Sequence, residues 1–167
     1  MILVKISDQI TKFLMILGAG WAFFLCFFIL ADILMRALNM PISGTKEIVA
    51  NSVVMIIFLQ IGFTIRSDSM LRADFLVNNL PKNFSKIVFI FALLLGAAFF
   101  FFLMKAGIKP AVRSFLNWEF DGEGALRVPV WPTSWMIVLG AGGASLNYLI
   151  MAVAEIYNLR IERLGLD

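Results

Sequence analysis

Histidine is absent from the 167 residues, and cysteine occurs once. Without imidazole the chain has no paired-histidine haem ligation, no His-ligated zinc and no imidazole general base. A single thiol, Cys26, excludes an internal disulfide and a thiolate cluster. Lying in an apolar run, it reads as a small buried hydrophobe. Charge is scarce as well: 15% of residues are charged, against about 25% in soluble domains. The net charge of +3 is small and scattered, which argues against a nucleic-acid partner. What fills the chain instead is apolar. Hydrophobic residues make up 61%, with 17 Phe and 9 Met. A soluble ball of this size could not hide that much apolar surface, so the composition points to an all-α integral membrane protein. The length allows one membrane domain, 1–167, of four spans of about 20 residues each with their loops.

Charge-free runs mark the spans. The first runs from Phe13 to Ala31, bounded by Lys12 and Asp32, and reads as a helix over about 13–35. It is longer than a signal-peptide core and no small-x-small site follows, so it reads as retained. The second covers 48–65, between Glu47 and Arg66, and carries Asn51, Ser52, Gln60 and Thr64, which belong against protein rather than lipid. The third is charge-free over 87–104 and extends to about 108; Phe99 to Phe102 make it apolar on every side. The fourth covers 133–154, with Pro132 suited to a first helical turn. The segment 109–132 is then a long loop, in which Pro110 is expected to disturb any projecting helix.

Four spans put both termini on one side. That side holds eight basic residues: Lys5, Lys12, Arg66, Arg72, Lys82, Lys86, Arg160 and Arg163. The other holds six: Arg36, Lys46, Lys105, Lys109, Arg113 and Arg127. Basic residues favour the cytoplasm, so both termini are assigned there. Trp131 and Trp135 then mark the outer interface and Tyr157 the inner one. Between spans two and three, Leu71, Phe75, Leu76 and Leu80 recur at helical spacing until Pro81. Segment 68–80 therefore reads either as a short amphipathic helix in the interface or as a capped connector.

Few residues stand out chemically. Asp32 and Arg36, one helical turn apart, form a boundary ion pair, a contact with a partner subunit, or an ion site. Glu47 suits the positive end of the second span, with Thr45 or Gly44 as its cap. Gly140 and Ala144, with Gly143 beside them, offer a close-packing face. In the long loop, Lys109, Arg113, Trp118, Glu119, Asp121, Glu123 and Arg127 mix charge with aromatics, which suits docking of a soluble partner or anchoring at the membrane surface. No line of ionisable residues crosses a midplane, and there is no phosphate-binding glycine loop and no nucleophile with its base. The chain reads as a subunit and not as an enzyme.

The order of several elements resembles a known family. Arg36…Asn39-x-Pro41…Gly44…Glu47 leads into span two, followed by Gly62 and Arg66. Leu71-Arg72-x-Asp74…Leu80-Pro81 comes next, and Pro129-x-Trp131 opens span four. The pattern is similar, over nearly the whole chain, to the small, Q-type (DctQ-like) membrane subunit of tripartite ATP-independent periplasmic (TRAP) transporters. The match is looser at Ser67-Asp68-Ser69, where the family pattern leads to an expected glycine or histidine. The resemblance implies a multi-pass protein of the bacterial inner membrane, without a cofactor of its own. Its partners would be a large multi-span subunit, a periplasmic solute-binding protein and membrane lipid, with a bound phospholipid allowed. Sodium coupling and the substrate site would lie in the large subunit, and the solute would be an organic acid or a related compound. The small subunit would stabilise the scaffold and help receive the binding protein. Asp32, Arg36, Glu47, Arg66 and Asp74 are then candidates for the large-subunit interface. The rival reading is a self-sufficient proton-coupled transporter using Asp32.

Overall fold

The structure, a computed structural model, describes residues 2–40, 42–67, 82–122 and 127–157. Four helices are long and apolar enough to cross a membrane: α1 (Ile2–Ala37), α2 (Thr45–Arg66), α3 (Lys82–Leu116) and α4 (Trp131–Ile156). Two short strands, β1 (Phe120–Asp121) and β2 (Val128–Pro129), pair antiparallel between α3 and α4. Segment 68–80, with Asp74, lies outside the described residues, as does Glu123.

The helices pack in the spatial order α1, α2, α4, α3, so α4 sits between α2 and α3, while α1 touches α4 only slightly. The sequence explains which helix is central. Between Gly140 and Ser145, α4 has no side chain larger than that of serine. At Gly140 an added Cβ would stand 2.2 Å from the carbonyl oxygen of Phe58, so α2 and α4 touch backbone to backbone. On the other side, Ser145 Oγ donates to the Ala97 carbonyl at 3.0 Å, and Tyr148 lies against Gly96 and stacks on Phe100.

The α1–α2 contact has a different basis. Thr11, Gly18, Leu25 and Asp32 are spaced seven residues apart and all are buried. A seven-residue repeat keeps one seam of a helix against its partner. Gly18 lies close against α2, since a Cβ there would meet the side chains of Leu59 and Gln60.

Two expectations are corrected. Cys26 is exposed on α1, because it falls one position past the buried Leu25 and points off the seam. Pro110 does not end the third helix, which continues to Leu116. One lost N–H bond is tolerated there because Ala111 and Ser114 stay packed, and the Ser114 hydroxyl bonds the Ala111 carbonyl at 3.0 Å. Of the two candidate caps of α2, Gly44 is the N-cap. Gly44 takes a left-handed φ of 79° as N-cap, and the Thr45 hydroxyl donates backwards to the Ile42 carbonyl at 2.9 Å.

Candidate functional site

Polar groups gather at the two ends of the bundle. At the end where α1 begins and α2 and α4 finish, Arg66 is buried and grips Asp8 with two nitrogens. Nε lies 2.9 Å from Oδ1, and Nη2 lies 3.1 Å from Oδ2. The side chain of Arg66 is 3% exposed and that of Asp8 is 25% exposed. A guanidinium at this depth needs a bidentate carboxylate, because an unpaired one there would be costly to desolvate. One turn further in, Asn147 is fully buried. Its Oδ1 accepts from the Ser7 hydroxyl at 3.1 Å, and its Nδ2 donates to Thr11 Oγ1 at 3.3 Å and to the Gly62 carbonyl at 3.4 Å. This network joins α1, α2 and α4 at one level. Above it lies an apolar groove of about 300 Å³ between α1 and α4, floored by Phe58, Leu59 and Gly62. Gly143 lines it, and nothing stands within 4 Å of a Cβ built there.

Of this cluster the sequence singled out Arg66 alone. Asp8, Ser7, Thr11 and Asn147 were missed. Two signals were available: a buried arginine requires an acid near it, and an asparagine inside an apolar span belongs against protein.

At the opposite end, Asp32 accepts from Arg36 Nε at 2.7 Å and from the Ile42 N–H at 3.2 Å. Both carboxylate oxygens are engaged, and the α1–α2 connection is fixed to α1. Asp32 is buried while Arg36 remains half-exposed. Glu47 is half-buried in the first turn of α2 and makes no ion pair among the described residues.

The long loop is organised at this same end. Arg113 Nε meets Glu119 Oε1 at 2.9 Å. The Val130 N–H donates to the Glu119 carbonyl, extending the β1–β2 pairing. Asn51 Nδ2 donates to Asp121 Oδ2 at 3.2 Å, which ties the ribbon to α2. Phe115 packs edge-on against Trp131, with centroids 5.8 Å apart. Glu119 and Asp121 thus have partners within the chain, whereas Lys109, Trp118 and Arg127 are exposed. Within α4, Gly140 and Ala144 are buried at helix contacts while Gly143 opens on the groove. Among the described residues no three acidic or thiol groups come together to hold a metal ion.

Among the described residues the arrangement brings together helix-joining clasps and a shaped loop. No curated protein and no solved structure matches the chain. A family model does match, over residues 23–158, and its description is that of a transporter component rather than an enzyme. With four membrane-spanning helices and a match covering most of its length, this inner-membrane chain belongs to the family of the DctQ component of tripartite ATP-independent periplasmic transporters.

Proposed function

We propose that this chain is the small permease subunit of a sodium-driven, binding-protein-dependent transporter for an organic acid or a related solute. It widens the static scaffold of the large membrane subunit and helps its outer loop receive the solute-binding protein, with both termini cytoplasmic. The observation that carries the scaffold role is the surface of α1. This helix packs on α2 along one seam, and its other faces carry Phe13, Ile16, Phe23, Phe27, Leu30 and Leu34, all exposed. A helix so little covered by its own chain needs lipid or a larger membrane partner around it.

The boundary charges divide by what they already hold. Asp32 and Arg66 are buried in bonds within the chain, so their part in assembly is to fix the helices. Arg36 and Glu47 retain exposed surface and are the charges offered to the large subunit. The proton-coupled alternative gains no support, because both oxygens of Asp32 are spent on Arg36 and on a loop N–H. The test is co-purification. Arg36→Glu and Glu47→Lys should each reduce recovery of the large subunit with this chain, and the double variant should reduce sodium-driven uptake in proteoliposomes supplied with the binding protein. Recovery and uptake equal to wild type would overturn the assignment.

A further inference from the structure

The charge-free runs of α2 and α3 do not stand side by side. Phe58, close to the middle of the run 48–65, touches Gly140 of α4 backbone to backbone. Gly96, in the middle of the run 87–104, lies against Tyr148. Gly140 and Tyr148 are eight residues apart on α4, so the apolar run of α3 is displaced by about 12 Å along the bundle, away from the ribbon.

The displacement sets the last third of α3 beside the apolar middle of the other helices. A Cβ at Gly142 would stand 3.1 Å from Met104 Sδ, and one at Gly107 would stand 3.2 Å from Val138 Cγ2. Lys105, between Met104 and Gly107, is therefore level with Gly140 and with Phe58. Phe58 is eleven residues, about 16 Å, from Glu47, and at this depth α1 and α2 carry no charge. Lys105 is exposed. So are Lys109, one turn nearer the ribbon, and Phe101, Phe102 and Val112 around them, on the side of α3 away from α4. Lys105 makes no ion pair among the described residues.

An ammonium at this depth is costly against lipid tails. Ionisable groups inside membranes face protein or water and pair with an opposite charge. Lys105 faces out of its own bundle, and the distance to the end of α2 is more than a lysine side chain covers by snorkelling. A second copy of this chain does not bring the missing acid. Copies side by side in one membrane keep their levels. Among the described residues Asp8 and Glu155 stand at one end of the bundle, and Asp32, Glu47, Glu119 and Asp121 stand at the other.

We propose that the large membrane subunit covers this face of α3 and sets a carboxylate against Lys105. The assignment rests on the reading of this chain as the small subunit. It goes beyond that reading by naming the edge of the row opposite α1 and the charge that the partner brings there. It also accounts for the displacement: at Lys105 α3 leaves lipid for protein, at a level where α1 and α2 are still apolar.

The test uses the whole transporter. Lys105→Glu should lower recovery of the large subunit with this chain about tenfold or more, Lys105→Met should lower it less, and Lys105→Arg should keep most of it. Recovery of Lys105→Glu at the wild-type level overturns the proposal. Purified alone in detergent, the Lys105→Glu chain should melt as wild type does, since Lys105 holds no ion pair in its own chain. A clear fall would assign the lost recovery to the fold and overturn the proposal as well. A photoreactive benzoylphenylalanine in place of Phe102, with Lys105 intact, should link the chain to the large subunit; links to lipid alone, or to a second copy, overturn it. If wild type itself recovers no large subunit, the small-subunit reading fails and this contact with it. If wild type recovers it and any of the overturning results is seen, the α3 contact alone is removed.

Discussion

The first and fourth helices of this chain reverse the rule of soluble proteins. α1 is the more apolar of the two, yet only 11% of its most apolar window is buried within the molecule, against 39% for α4. In water, large apolar side chains seek the core. Here they point outwards from α1, while α4 buries Gly140, Ala141, Ala144, Ser145 and Asn147. Lipid tails are as apolar as leucine, so burying leucine gains little in a bilayer. Close backbone approach and satisfied polar groups decide which helix is central. α4 has both, and α1 has them only along its seven-residue seam.

The strongest way to break that contrast is to make α4 resemble α1. At Gly140 even a Cβ would collide with the Phe58 carbonyl, and that backbone cannot yield without parting the helices. We expect Gly140→Leu to cost about 3 kcal/mol or more, at the upper end of overpacking. The readout is loss of the folded monodisperse species, or a large fall in the SDS midpoint, when the purified chain is titrated. The same leucine at Gly143, which faces the open groove, should be far milder. Equal losses at both positions would mean that the groove is filled in the membrane.

Next in size is the polar clasp that ties the edge helix to α2. Asp8→Asn keeps the shape but leaves Arg66 buried without its counter-ion. Breaking a buried pair in this way costs about 3 kcal/mol, less some relief from the partial exposure of Asp8. Asp8→Asn combined with Arg66→Met should recover much of that loss, because it removes the stranded charge. If the double variant is as unstable as the single one, the pair contributes more than mutual neutralisation. Asn147→Leu should cost about 1 kcal/mol, as polar contacts between membrane helices do.

How far these features could be read in advance depends on their range. The four spans follow from local charge: Lys12 and Asp32, Glu47 and Arg66, Lys86 and Lys105 bracket them well. The bracket is where a helix leaves hydrocarbon and not where it ends, which is why α1 and α3 run beyond theirs. The Asp32–Arg36 pair was legible because it lies within one turn. The Asp8–Arg66 pair joins residues 58 apart, and nothing local indicates which acid an arginine will meet. Cys26 was misread because apolar surroundings in the sequence say nothing about which face of a helix is covered when lipid can cover any of them. The ribbon of β1 and β2 was missed for another reason. Two-residue strands have no periodicity, and this one is fixed by the Glu119 carbonyl and by Asn51 on another helix.

The smallest effect expected within this chain is also the most discriminating. On the face of α1 opposite its seam, Ile16, Gly20, Phe23, Phe27, Leu30 and Leu34 are all exposed and alternate at spacings of four and three. That alternation is what a second helix packing along α1 would require. Lipid requires only that the residues be apolar, in any order. Leu30→Ala removes no contact that holds the chain together, so its own stability should change by less than about 0.5 kcal/mol, as at other sites outside the core. The outcome in the complex separates the two coverings. If lipid covers this face, Leu30→Ala and a control such as Phe13→Ala, exposed at the other end of the run, should both leave recovery of the large subunit unchanged. If the large subunit lies along it, Leu30→Ala should reduce recovery while the purified small chain melts as wild type. That combination would show that α1 is loosely held by its own chain because its other seam is made with the larger subunit.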